Sequence, residues 1–295
     1  MRTVRTGVAS LAALGLILAL PGQAQAAAVP VPLGTADSFV VLAGSGVTNT
    51  GPTTLNGDLG SYPKPKITGA GLTVTGTNHA GDAVTQGAKT ALVTAYNQTA
   101  GQGPTSPISG DLNGRTLLAG VYNSASSIGL RTGGTLILDA AKDPNAVFVF
   151  QAGSTVTTGS GSKILLRNGA RSCNVFWQVG SSATIGTNST FVGTVMAQDS
   201  ITVTTGARVV GRALARTGAV TLDTNRITRP TPCAASSTST PSPQVTNLPS
   251  GGVATGDGST APGVSDDLGR LAVVLAFAGM GGAALVATRR RRLHS

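Results

Sequence analysis

The chain has 295 residues, 40% hydrophobic and only 11% charged, with 41 glycines, no glutamate and a formal net charge of +10. Two cysteines and two histidines without ligand spacing predict no metal site, and no cofactor motif is present. Scattered basic residues with few aromatics give no stacking platform for single-stranded nucleic acid, so no nucleic-acid partner is expected.

In chain order, residues 1–28 read as a secretory signal. Arg2 and Arg5 form a basic start, Leu11 to Leu20 an apolar stretch, and Ala24-Gln25-Ala26 a small-residue cleavage site. The domain expected next spans residues 29–233 and carries 14 Lys plus Arg against 8 Asp, a net +6. Its richness in Gly, Thr and Val favours short strands with glycine corners. Leu72-Thr-Val-Thr-Gly76 reads as a strand with Thr73 and Thr75 outward, and Thr53-Thr-Leu-Asn-Gly57 as a weaker match. A helix is predicted from Asp82 to about Gln98, because Val84, Ala88, Ala91, Leu92, Ala95 and Tyr96 recur at helical spacing and Gly101 follows as a stop. His79, just before it, reads as a capping or surface residue.

Four similar segments then recur: Thr155-Val-Thr-Thr158, Thr184-Ile-Gly-Thr187, Thr202-Val-Thr-Thr205 and Thr221-Leu-Asp-Thr224. The last three begin at 184, 202 and 221, and such a period predicts a β-solenoid of stacked coils. Side chains of a strand alternate, so Val156, Ile185, Val203 and Leu222 point inward and the threonines outward. A second kind of run has no alternation: Ala146 to Phe150, Val175 to Trp177, Val195 to Ala197 and Ala213 to Ala215. Such strands are buried on both sides. The helix is the best cover for them, which leaves the threonine face open. Residues 103–120 and 163–172 break the period and read as loops or caps. Cys173 and Cys233 form one disulfide if the chain is exported, which would stabilise by about 2–5 kcal/mol.

Residues 234–267, rich in Ser, Thr, Pro and Gly, read as a flexible stalk. Residues 268–288 read as one transmembrane helix, and 289–295, with Arg289 to Arg292, as a basic cytoplasmic tail. Leu248-Pro-Ser-Gly-Gly252 is similar to a sortase signal, with Gly251 where that motif has threonine. Retention by the span and sortase attachment to the cell wall both stay open. The expected location is the cell surface.

The domain also resembles the microbial ice-binding protein family. The resemblance is carried by Leu33-Gly-Thr-Ala-Asp-Ser-Phe39, Val40-Val-Leu-Ala-Gly44, Asn56-Gly-Asp-Leu-Gly60, Ala95-Tyr-Asn97, Gly120-Val-Tyr122, Leu136-Ile-Leu-Asp139, Asp143-Pro-Asn-Ala-Val-Phe-Val-Phe-Gln151, Asn174-Val-Phe-Trp-Gln178 and Gly211-Arg-Ala-Leu-Ala215. It implies a mainly β fold: a right-handed, discontinuous β-solenoid of triangular cross-section with one long α-helix alongside. It also implies that the flat face lacking the helix adsorbs to ice or ordered water. Members often carry Thr-Ala/Gly-X-Thr/Asn there; this chain keeps both threonines but not the small second residue, and Gly186 and Asp223 interrupt its ladder.

The candidate ice-binding grid is Thr73, Thr75, Thr155, Thr157, Thr184, Thr202, Thr204 and Thr221. The alternative is an adhesin or structural wall protein using the same solenoid as a spacer. An enzyme is not expected, since carbohydrate cleavage needs clustered carboxylates and Asp139, Asp143, Asp199 and Asp223 are scattered.

Overall fold

The computed structural model describes residues 27–103 and 105–231. Nearly all of the signal, together with Cys233, the stalk, the span and the tail expected from sequence, lies outside these residues. Among the described residues no helix is long and apolar enough to cross a membrane.

Every strand pairing is parallel, and the pairings resolve into three faces. One face is a separate eight-stranded sheet, in the order Ile67–Thr68, Val47–Thr50, Val220–Asp223, Ile201–Val203, Ala183–Ile185, Val156–Thr158, Ile128–Leu130 and Gly110–Asp111. It is called the open face below. The other two faces share strands, because Thr190–Ala197 and Arg208–Ala215 each run across both. Gly193 and Gly211 sit at the bend. A Cβ on Gly211 would lie 1.8 Å from the Gly193 carbonyl oxygen, so this corner admits no side chain.

The repeat is regular where the chain turns this corner directly. Open-face strands beginning at 183, 201 and 220 are 18 and 19 residues apart. Between 128, 156 and 183 the coils are longer, because the corner is replaced by turns after Thr135–Asp139 and Lys163–Arg167. The stretches expected to be loops or caps therefore also contain strands. Residues 163–167, and Gly110–Asp111 and Thr116–Leu118, supply coils with their own rungs. Sequence spacing missed them because the variable turns hide a constant stack.

The coil order is discontinuous in space. Val47–Thr50 pairs with Val220–Asp223, and Thr53–Asn56 with Arg226–Thr228, so the first coil lies on the last. The chain adds one more coil outward and then enters the helix, Ala83–Ala100. It restarts at the far end with Ser106–Pro107 and coils back.

Asp82 caps the helix, accepting from the Thr85 N–H at 2.8 Å, and Gly101 ends it. His79 Nδ1 lies 2.6 Å from the other Asp82 oxygen and holds the cap in place. Ala88, Leu92, Ala95 and Tyr96 are buried against Leu42, Leu214, Met196, Phe176, Val149 and Val121 of the helix-backed face. Val84 is not part of this seam; it is 49% exposed. The cover is also broader than the helix alone, since Val31, Leu33 and Ala36 join it. Polar ties fix the helix along the axis. Gln178 donates to the Tyr96 hydroxyl, Tyr96 to the Val179 carbonyl, and Gln151 to the Thr99 carbonyl.

Inside the coils, equivalent positions stack. Tyr122, Phe150 and Trp177 are in register, with ring centroids 5.5 and 3.9 Å apart, and Trp177 meets Phe191 at 5.3 Å. Such pairs add about 0.5–1.5 kcal/mol each beyond their area.

Candidate binding face

The open face is built by alternation. Val47, Leu222, Val220, Ile201, Val203, Ala183, Ile185, Val156 and Ile128 are at most 2% exposed and fill the core. The residue between each inward pair therefore faces solvent. Strict pairing aligns these outward residues as Thr68, Thr48, Thr221, Thr202, Thr184, Thr157, Gly129 and Asp111. Six consecutive rungs thus carry threonine at one point. With rungs about 4.8 Å apart the row runs about 24 Å.

Among the described residues the hydroxyls of Thr48, Thr221, Thr202, Thr184 and Thr157 make no hydrogen bond, while that of Thr68 donates to the Val47 carbonyl at 3.5 Å. Flanking Thr50 is likewise unbonded, but other threonines beside the row are engaged inside the protein. Thr155 meets the Ser127 hydroxyl at 2.8 Å. Thr204 donates to the Ile185 carbonyl and accepts from Thr187. Thr205 and Thr224 both donate to Asp223, at 2.5 and 2.9 Å. Five methyl-and-hydroxyl pairs are left facing water in one line.

Of the eight threonines expected from sequence, the structure brings Thr157, Thr184, Thr202 and Thr221 into the row. Thr155 and Thr204 flank it at the two edges of the same face. Thr73 and Thr75 do not belong to it. Leu72–Val74 pairs with Thr53–Asn56 on a different face, so both threonines point away from the row. The motif match was local, and which face a strand joins is set by its place in the coil. Thr48 and Thr68 are in the row and were not expected. Val47-Thr-Asn-Thr50 has the same alternation as the repeat, which is the signal that could have found Thr48.

The row's flanks are small or bent. Beside it run Gly46, Ala219, Ser200, Ser182, Thr155 and Ser127, each preceding its strand. On the other side lie Thr50, Asp223, Thr204, Gly186 and Gly159. Gly186 has no freedom to carry a side chain, because its Cβ would sit 2.4 Å from the Gly159 and Thr158 backbone. No side chain of the helix cluster reaches this sheet.

The aspartates serve turns. Asp139 accepts from the Ala141 N–H and from Asn168, which hold its pKa below the ordinary value, backbone bond first. Asp143 accepts from the Asn145 N–H, and Asp199 from Ser181 and Thr217. Among the described residues no group of three or more His, Cys, Asp or Glu could hold a metal.

A parallel three-faced coil, with one face covered by a helix and another bearing an uncovered threonine row, defines the class of β-solenoids with one open face. The chain belongs to the ice-binding-like family, whose model matches residues 41–228. It is 48% identical over 208 residues to an ice-binding protein of Nostoc sp. (strain HG1), covering 70% of this chain and 76% of that one. Among solved structures, an ice-binding protein from an Antarctic biological consortium aligns with a TM-score of 0.67 at 46% identity, over 70% of this chain and 93% of its own. One from the Antarctic ascomycete Antarctomyces psychrotrophicus gives 0.66 at 40%, over 69% and 100%.

Proposed function

We propose that this protein adsorbs to ice through the open face, by the row Thr68, Thr48, Thr221, Thr202, Thr184 and Thr157. The observation that carries this reading is the set of five aligned hydroxyls with no internal partner. Outward threonines on adjacent rungs are about 4.8 Å apart, and their χ1 is restricted by β-branching. Such a row orders water at fixed spacings, the methyls enclosing it and the hydroxyls anchoring it. Each contact is weak, so attachment requires many contacts held in register by a stiff scaffold. Family membership supports the same reading. No catalytic step is involved.

Export by the residue 1–28 signal, a Cys173–Cys233 disulfide, and anchoring by residues 268–288 complete the proposal. Together they place the domain at the cell surface, where external ice is met. Cys173 is not a free thiol, which is consistent with pairing.

The test is crystal shaping and recrystallisation inhibition by a protein spanning residues 29–233. Thr184→Tyr and Thr202→Tyr should each remove most of the activity, because a ring in mid-row lifts the face off the crystal. Thr73→Tyr, on another face, should leave it intact. A wild type that shapes no ice would end the proposal, and equal loss in Thr73→Tyr would place the contact elsewhere.

A further inference from the structure

The third face of the solenoid carries a different pattern. Lys163 pairs with Thr190, Thr190 with Arg208, and Arg208 with Arg226, so three cations share one line along the axis. Arg208 and Arg226 are direct neighbours on adjacent rungs. Like charges placed directly opposite are destabilising, so the arrangement works against the fold. All three side chains are exposed, and none makes an ion pair among the described residues. Two residues further along, an aliphatic line runs through buried Val192 as far as Val210 and ends at Thr228 on the Arg226 strand. Ile137 pairs with Leu165, and Val192 with Val210; Leu165 and Val210 are each 39% exposed. Arg167 lies beyond that line on the far side, paired with Asp139, the single acid among these rungs.

We infer that this face is a docking surface for a linear phosphate-bearing polymer without nucleobases, lying along the solenoid axis. Charge complementarity selects the partner. Unpaired cations at about 5 and 10 Å intervals match repeating anions, and guanidinium forks suit phosphate oxygens. The same cations oppose a second copy of this chain, which would bring like charges together. Arg and Lys side chains outreach Val and Leu, so the aliphatic line is a low shelf beside the basic line, with Arg167 on its far side at one rung. Lys163 and Arg167 are four residues apart on one strand, about 13 Å. That width suits a single polymer chain better than a lipid bilayer, and Trp177, Tyr96 and Tyr122 are buried rather than placed as membrane-interface anchors.

This face is distinct from the threonine row, so the two contacts can be tested apart. The domain spanning residues 29–233 is titrated with long-chain inorganic polyphosphate at several salt concentrations. The comparison arms are vesicles containing phosphatidylglycerol and neutral dextran. Binding to polyphosphate should weaken steeply with salt. The triple variant Lys163→Gln, Arg208→Gln, Arg226→Gln should reduce affinity at least about tenfold at low salt and flatten the salt slope by about two, at about 0.7 per lost contact. Ice shaping by the triple variant should be unchanged, which also shows that it is folded. Undiminished polyphosphate binding by that variant overturns the inference, as does tight binding to the vesicles with none to polyphosphate. A wild type that binds polyphosphate but shapes no ice would sink the proposed ice contact and leave this one standing.

Discussion

At position 129 the threonine row stops for want of one side chain. Gly129 pairs with Thr157 on one side and Asp111 on the other, and its backbone is not in the left-handed region. A Cβ there would meet the Gly110 and Thr157 carbonyl oxygens at 3.6 and 3.9 Å, ordinary contact distances. Gly129→Thr should therefore fit, extend the row to a seventh rung, and raise thermal hysteresis above wild type. Gly186 is the opposite case. Gly186→Ala should destabilise the domain by about 1–3 kcal/mol in urea titration, because its methyl would overlap backbone of the preceding coil. The two glycines look alike in sequence, and only the neighbouring coil tells them apart.

The helix shows how an element is positioned by polar groups at its seam. Lys89 reaches across to the helix-backed sheet and donates to the Ala215 and Arg216 carbonyls at 2.5 and 2.6 Å. Burial, helped by the Arg216 guanidinium, pushes its pKa down to about 8 from 10.5. The unfolded chain therefore binds more protons than the folded one between those values, so this group makes stability rise as pH increases from about 8 to 10.5. The difference in urea stability between wild type and Lys89→Met should grow in favour of wild type across that window. A flat difference would show that the two carbonyl bonds hold the ammonium charged despite its burial. The helix was legible in sequence because its apolar spacing, the Asp82 start and the Gly101 stop agree. The N-terminal segment beside it was not, because Val31, Leu33 and Ala36 carry no periodic signal and are buried by tertiary contact alone.

For the solenoid as a whole, stiffness comes from stacking equal groups coil on coil. Trp177 lies between Phe150 and Phe191 and donates its indole N–H to the Val192 carbonyl at 3.0 Å. Trp177→Ala should cost about 3–5 kcal/mol by chemical denaturation. Ice shaping should fall with it, since the row depends on coil register. The closure of first coil on last has a further consequence. Residues 47–56 lie between the coil of residues 220–228 and the added outer coil, so the two ends of the domain stabilise each other although they are far apart in sequence. Repeat counting reads neighbours in sequence as neighbours in space, and here that inference fails at one junction.

The sequence by itself determined the coil, the alternation that sends Val156, Ile185, Val203 and Leu222 inward, the capped helix and the core of the threonine row. These follow from local periodicity and side-chain type, which act over a few residues. Only the tertiary structure decided that Thr48 and Thr68 join that row while Thr73 and Thr75 leave it, and that residues 163–167 form a rung. Face membership is a property of where a coil turns its corners, and those corners are set by backbone contact between coils rather than by the residues in the strand.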